Sequence, residues 1–406
     1  MLNFHNLFRH KWTRVLIFNI SRKGLAALEA DFNFDDKKIR LKNNLEFLAP
    51  VGEVFSMDDA LSRLEKITQA ASKNTSLIFL FEKPFLKSTL SAFSIIRERP
   101  LELIDEEELE NVILNLAWRL YDRERPIVSR VLGISEFDLI LTLSKIKDPR
   151  IDGRKILNPI GFAGRRLGFT FENTYSQKDF WEKLTKIPRR FKGEANFLVE
   201  NNLVFDKVFS LLDEKGILVE IGLEETRVGQ LGNFLKNSES FNWGEKNITK
   251  LIAKSFSMPL GAAKDLKERY QTGNLSGHSL HYLEKTLLTE LKILIEGVNL
   301  AIKNFVAEDA KGWNLYLSGS LVGFPKLLEC FRSHPWSRTI FKRRPVIEPY
   351  QKEKIFDKIN VTVEGLENLT CLDSLALTVA MAELFMPESP HQELNKILKR
   401  RIKWLK

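Results

Sequence analysis

Two stretches roughly 200 residues apart share one pattern: an apolar strand, a polar turn and a second apolar run. The clearer copy is Ile217 to Leu231, ILVEIGLEETRVGQL. There Ile217, Val219 and Ile221 alternate into Gly222, and Thr226, Val228 and Leu231 carry a second β-type run out. The earlier copy, Val15 to Leu28 (VLIFNISRKGLAAL), has the same strand, a polar turn after Asn19-Ile20, and the same exit. A duplicated strand-turn-strand predicts two related halves of one α/β fold facing a shared cleft. The glycine turn of the later copy reads as a damaged phosphate loop.

The remaining constraints are bounds. At 406 residues, 44% apolar and 10% aromatic, the chain can fill two or more cores, and disorder is excluded as its main state. No run reaches the roughly 20 apolar residues that span a bilayer. Met1 to Arg14 has neither an apolar h-region nor a small-residue cleavage site, so secretion is not expected. Cys330 and Cys371 form no metal spacing and no disulfide framework, and His278 and His281 lack a third zinc ligand nearby. Of the net charge of +9, six basic residues and no acids fall within Leu394 to Lys406. The body is therefore nearly balanced, which argues against nucleic-acid binding and toward a charged tail.

Helix and strand alternate along the chain. Asp58 to Ala71 has helical spacing and leads into a buried strand, Ser76 to Phe81. Asp105 opens a helix with acids in its first turn, Phe137 to Ser144 reads as a strand, and Ile151 to Phe171 is a glycine-rich β segment. In the second half, Asn247 to Tyr270 reads as helical, Leu283 to Phe305 as a long helix, and Leu315 to Leu328 as strand, Ser-Gly-Ser turn and helix. An apolar helix, Asp373 to Phe385, is separated from the tail by Pro387 and Pro390.

In this order the motifs resemble those of the actin-like ATPase superfamily, most closely the FtsA family of bacterial cell-division proteins. The family's first phosphate loop, Asp-Ile-Gly-Thr-Ser, aligns with Asn19-Ile20-Ser21-Arg22-Lys23. The second, Asp-Ile-Gly-Gly-Gly-Thr-Thr, aligns with Glu220-Ile221-Gly222-Leu223-Glu224-Glu225-Thr226. Gly244 to Thr249 and then Lys267 resemble a further family segment, and Leu317-Ser318-Gly319-Ser320-Leu321 followed by Pro325 resembles the adenosine motif. Asp152-Gly153, Asn158-Pro159-Ile160-Gly161 and Gly164 to Leu167 are similar to the signature of FtsA's 1C subdomain.

The resemblance implies a two-lobed actin-like fold of duplicated RNase H-like domains, with an SHS2-like 1C insertion and a C-terminal amphipathic helix. Lobe 1A would take residues 1–99 and 176–213, subdomain 1C 100–175, lobe 2A 214–238 and 300–386, subdomain 2B 239–299, and the tail 387–406. ATP with Mg2+, if retained, would meet Asn19, Ser21, Arg22, Lys23, Glu220, Gly222, Thr226, Lys267, Ser318, Gly319 and Ser320, with Glu220 holding a magnesium-bound water. No catalytic residue is assigned.

The chemistry of the loop argues against turnover. Glycines let backbone N–H groups approach phosphate and accept positive φ. Leu223 and Glu224 stand at glycine positions, where a left-handed or bridge conformation would cost about 1–3 kcal/mol each. Glu224 and Glu225 add charge that repels phosphate by roughly 4 kcal/mol per pair at about 4 Å and an effective dielectric near 20. Arg22 and Lys23 could compensate. The expectation is a pseudo-ATPase.

In the tail, Leu394, Ile397, Leu398, Ile402 and Leu405 recur at helical spacing, Lys396, Lys399, Arg400, Lys403 and Lys406 fill the other face, Trp404 sits at the edge, and Arg401 is taken with the apolar residues and Trp404 as membrane-binding. This is the pattern of an interfacial helix on anionic lipid at the cytoplasmic face of the inner membrane; a helix docked on the body is the alternative. The FtsA resemblance implies tethering of the tubulin-like division protein FtsZ and self-association into filaments. Two other readings stay open. One is an adaptor like PilM of type IV pilus assembly, which binds an inner-membrane partner's cytoplasmic peptide and reaches the membrane through it. The other is an active ATP-dependent enzyme of the superfamily.

Overall fold

The computed structural model describes residues 12–21, 24–48, 55–71, 75–82, 85–188, 195–197, 201–212, 215–232, 237–275, 277–305, 313–319, 321–336, 341, 343–369, 374–386 and 391–401. In chain order the first half comprises β1 (Thr13–Ser21), β2 (Gly24–Asn33), β3 (Lys38–Leu48), α1 (Met57–Ala70), β4 (Ser76–Phe81), β5 (Leu86–Ile96), α2 (Glu106–Leu132), β6 (Leu139–Ile151), β7 (Arg154–Lys155), β8 (Arg166–Gln177), α3 (Lys178–Leu184), β9 (Ala195–Phe197) and α4 (Asn201–Phe209). The second comprises β10 (Gly216–Ile221), β11 (Thr226–Gln230), β12 (Ser238–Phe241), α5 (Glu245–Ser255), α6 (Leu260–Gln271), α7 (Gly277–Phe305), β13 (Asn314–Gly319), α8 (Leu327–Ser333), β14 (Ile347–Pro349), α9 (Glu353–Lys358), β15 (Thr362–Glu364), α10 (Ser374–Glu383) and α11 (Gln392–Arg401). These elements form two compact units. One takes Met1–Asp35, Phe47–Leu203 and Phe385–Lys406; the other takes Asp36–Glu46 and Val204–Leu384.

Each unit is built on the same strand arrangement, and here the duplicated pattern of the sequence finds its structural reason. In the first, β1 is antiparallel to β2 and parallel to β4, which is parallel to β9. In the second, β10 is antiparallel to β11 and parallel to β13, which is parallel to β14. The central strands, SLIFLF in β4 and GILVEI in β10, are buried along their whole length and apolar but for Ser76 and Glu220, because a strand with parallel neighbours is covered on both faces. Around β10 the core takes Ile217, Val219 and Ile221 together with Ile248 and Ile252 of α5 and the buried stripe of α7, Leu283 to Ile302. The helical run expected over Asn247 to Tyr270 is two helices, since Pro259 stands between α5 and α6 and cannot continue the first.

The first unit also carries a second, antiparallel sheet in the order β5-β8-β6-β7. It draws in β5, which pairs with β8 from Leu86↔Ser176 to Ile96↔Arg166. The helix α2 covers one face. It begins where the sequence places it, with the Asp105 side chain accepting the N–H of Glu108 at 2.8 Å and three acids in the first turn, and it ends on Gly133 at φ 71. Alternate residues of β8, Leu167, Phe169, Phe171 and Tyr175, face the α2 core. Glu124 of α2 lies within this core. It accepts from the Thr89, Ser91 and Tyr175 hydroxyls at 2.7, 2.5 and 2.7 Å and from the Asn173 amide at 3.2 Å. Burial, with the Glu124 carboxylate alongside, pushes the Tyr175 phenol far above its ordinary pKa, so it stays protonated, donating to Glu124 and accepting from the Asn173 amide at 3.4 Å.

The tail differs from its interfacial expectation over the part described. Leu394, Ile397 and Leu398 lie on α11 at 1%, 4% and 0% exposure, inside the core that α2 and this sheet share. Asn395 ties the helix to the middle of β6, accepting the N–H of Ile146 at 2.7 Å, and the guanidinium of Arg400 reaches Glu110 at 3.3 Å and Glu106 at 3.6 Å. The physical reason is that a three-residue apolar stripe finds apolar protein surface in its own unit, and burying each such side chain is worth about 1.5–3 kcal/mol. Arg401 ends the helix; Ile402, Trp404 and Leu405 lie outside the described residues. Replacing Leu398→Ala should therefore cost about 2–5 kcal/mol in urea unfolding of the full chain; a variant as stable as the parent would contradict this docking.

Candidate functional site

The two hairpins carry the residues that the sequence singles out, and each is described within its own unit. In the first unit, Asn19 and Ser21 sit on β1 and are buried, with Asn19 opposite Ala26 of β2 and beside Leu80 of β4. Phe18 and Phe79, in register on the paired strands β1 and β4, stack with ring centroids 5.2 Å apart. Arg22 and Lys23 lie outside the described residues.

In the second unit the four residues 222–225 join β10 to β11, closed by the N–H of Gly222 donating to the Glu225 carbonyl at 2.9 Å. Leu223 and Glu224 do not take the left-handed conformation expected of glycine positions. Among the described residues, the non-glycine positions with positive φ are Lys37, Asp148, Asp152, Ser257 and Asn360. The expected strain is absent because the loop has been rebuilt as an ordinary turn, and with it the need for glycine disappears. Its backbone faces the start of α5, where the N–H of Glu245 donates to the Gly222 carbonyl at 3.0 Å and the N–H of Lys246 to the Leu223 carbonyl at 2.8 Å. The first two N–H groups of a helix, which usually serve as an anion site, are thereby spent on the loop.

The approach is close enough to require glycine. A Cβ on Gly244 would lie 2.6 Å from the Glu224 nitrogen, the Gly222 oxygen and the Leu223 carbonyl carbon. Thr226 fixes the other side, its hydroxyl donating to the Trp243 carbonyl at 2.7 Å, while the Trp243 indole donates to Glu290 of α7 at 2.8 Å. Gly319 closes β13 at φ 104, where a Cβ would fall 2.0 Å from the Ile221 oxygen. Ser318 is buried beside Glu220 in parallel register, and Ser320 lies outside the described residues.

Charge is neutralised from within. Glu220 is 2% exposed and stands directly across the hairpin from Arg227, whose Nε is 3.2 Å from its Oε2 and 3.9 Å from Glu225. Lys246 pairs with Glu224, and Lys267, buried on α6, pairs with Glu245. Tyr270, one turn further along α6, packs edge-on against Phe324 at 4.9 Å, and burial pushes its phenol well above the ordinary value. Four carboxylates thus share three cations around one turn.

A magnesium nucleotide does not fit this turn. The glycine cradle is gone, the N–H groups of α5 are committed, Lys267 is held by a carboxylate, and Glu220 faces an arginine rather than a metal-bound water. Among the described residues no cluster of three His, Cys, Asp or Glu side chains could hold a metal ion. Sequence reasoning found the loop but assigned no part to Arg227, Glu245 and Lys246. The signal was available in the spacing: a four-residue turn places residues 220 and 227 opposite each other, and Glu245-Lys246 open the next helix.

Strand order and duplication define the class: this is the actin-like ATPase fold. Among solved structures, the chain is similar to the PilM-PilN type IV pilus biogenesis complex at 14% identity and a TM-score of 0.53, over 92% of this chain and 99% of that one. It also aligns with ethanolamine utilization protein EutJ from Carboxydothermus hydrogenoformans, at 9% identity and a TM-score of 0.41, over 90% of this chain and 88% of that one. MreB 5 of Spiroplasma citri bound to AMPPNP aligns at 9% identity and 0.39, over 96% and 98%. No protein-family model matches the chain, and no curated protein sequence matches it.

The contact between loop and helix makes a local prediction. Gly244→Ala must push α5 off the turn, so it should destabilise the protein by about 1–3 kcal/mol in thermal unfolding. Tolerance of alanine with an unchanged melting temperature would show that the loop and α5 are not in contact.

Proposed function

We propose that this chain is an actin-fold adaptor of a type IV pilus-type assembly, working as a docking scaffold rather than a motor. The observation that carries this reading is the turn 222–225, whose charges and neighbouring helix terminus are taken up by the protein's own groups. An actin-like body that does not cycle through nucleotide states is suited to holding partners in place. The likeness to the PilM-PilN complex along nearly the whole of both chains agrees with such a role. The partner would be an inner-membrane protein that offers a short cytoplasmic segment, and this would bring the adaptor to the cytoplasmic face of that membrane.

The FtsA-type reading, a tether for FtsZ that polymerises and anchors through its own tail, needs Leu394, Ile397 and Leu398 to face lipid. Those three side chains are buried on α11, so the adaptor is the first reading. Two measurements test it. Purified protein should show no saturable Mg-ATP binding at micromolar concentration and no steady phosphate release; either activity would remove the pseudo-ATPase. A fluorescent fusion in the native cell should gather at pilus assembly sites, whereas a midcell ring would return the FtsA-type role.

A further inference from the structure

A sheet offers unpaired N–H and C=O groups at its end strands, and proteins keep those strands short or disrupted so that other chains do not add to them. The end strands β7, β9, β12 and β14 follow this rule, with two, three, four and three residues. The end strand β5 does not. It runs for 11 residues, LKSTLSAFSII, without proline and with one charge, Lys87, near its start. Its pairing with β8 has no irregularity, whereas the pairing of β6 with β8 has two register shifts. The free groups follow from the register. Arg97, the next residue, donates its N–H to the Arg165 carbonyl at 2.8 Å. Residues in step with it, Phe93 and Ile95 among them, therefore direct their N–H and C=O to β8, and Leu90, Ala92, Ser94 and Ile96 direct theirs outward. Among the described residues those four have no backbone partner on that side, and Ala92, Ser94 and Ile96 are exposed.

The side chains beside this edge set what it can receive. Arg119, Arg123, Ile127 and Arg130 are exposed and share one face of α2 by helical spacing. The Arg123 guanidinium lies over the Phe93 ring, 4.5 Å from its centroid, which puts that face on the β5 side. Among the described residues no acid lies within ion-pair distance of Arg119, Arg123 or Arg130. With Lys87 they make four cations against two acids, the exposed Asp122 and Glu124, which is buried under four hydrogen bonds. Arg125 is spent on Glu136 at 3.1 Å, and on the opposite face of the sheet Glu172 is met by both Lys145 and Lys147. Glu108, the nearest of the acids Asp105 to Glu108 that open α2, is about 24 Å along the helix axis from Glu124, beside Arg97 past the end of the strand. A second copy that added its own β5 antiparallel would set two α2 helices on one face of the joined sheet, arginines toward arginines, and such like-charge contact opposes association.

We propose that the edge from Leu90 to Ile96 binds an extended acidic segment of another protein as an added β-strand. The backbone of that segment completes the free row of N–H and C=O groups, and its alternate acidic side chains meet Arg119, Arg123 and Arg130. The site lies on one sheet of the first unit, apart from the hairpin turns. It does not depend on the pilus-type role, since the open edge and its arginines are present whichever assembly the chain serves.

The test is fluorescence anisotropy of the full chain at low salt with a labelled synthetic peptide of about nine residues that alternates valine and glutamate, and with a version that has lysine for glutamate. The parent should bind the glutamate peptide saturably and the lysine peptide about tenfold more weakly or worse. Ser94→Pro removes one outward N–H on an edge where proline is tolerated, and it should weaken binding about tenfold with little change in melting temperature. Arg119→Glu with Arg123→Glu should weaken the glutamate peptide as much and favour the lysine peptide. Amide exchange is the second readout: Leu90, Ala92, Ser94 and Ile96 should slow when the glutamate peptide is added. Binding that stays unsaturated up to about 1 mM peptide, or that either variant leaves unchanged, would overturn the proposal. So would a parent that sediments as a dimer while Ser94→Pro sediments as a monomer, which would assign the edge to a second copy of the chain.

Discussion

A buried carboxylate must be met by a cation or by hydrogen-bond donors, and in the second unit that demand falls on Glu220. It stands at the end of a fully buried central strand, 2% exposed, with Arg227 across the hairpin at 3.2 Å. Taking two such charges from water is costly, and the pair persists only if its geometry is held; removing one partner of such a pair typically costs about 3–5 kcal/mol. Everything near the turn follows from this pairing. Arg227 also reaches Glu225, Glu224 is matched from α5 by Lys246, and Lys267 closes the set on Glu245. The set is self-contained, and it sits on the turn that joins β10 to β11 within an actin-like strand order.

The first unit shows the same economy with apolar groups. Its antiparallel sheet has one face covered by α2, and the short helix α11 fills the remaining apolar ground beside β6 with three side chains and one asparagine. An amphipathic helix does not by itself distinguish lipid from protein as the phase that receives it. Here the neighbouring surface is apolar and lies in the same unit, and the exposed side of α11 keeps its cations, one of which is used on Glu110.

Much of the architecture is legible in the sequence because it is written in local period and in turn chemistry. The hairpin at 217–231 can be read from alternating apolar residues, and the start of α2 from Asp105 with its acidic first turn. The actin-like order can be read from several weak motifs in sequence. What was not legible depends on groups distant in the chain. The expectation of strain at Leu223 and Glu224 assumed that the loop kept the backbone of its glycine-rich counterparts; here the turn takes a backbone that needs no positive φ at either residue. Leu394 reads as lipid-facing because the periodicity of a helix says which residues share a face and not what that face meets. The hairpin spacing sets Arg227 opposite Glu220, whereas the partners of Lys267 and Lys246 lie 22 residues away across a helix boundary and are fixed by how the helices pack.

The central claim is that the turn between β10 and β11 is already filled by the protein itself. Amide hydrogen exchange over residues 216–250, with and without saturating Mg-ATP, tests it most directly. The amides of Gly222, Glu245 and Lys246 should exchange slowly in the protein alone, at rates that Mg-ATP does not change. Fast exchange that becomes protected when Mg-ATP is added would show an open phosphate loop and contradict the claim.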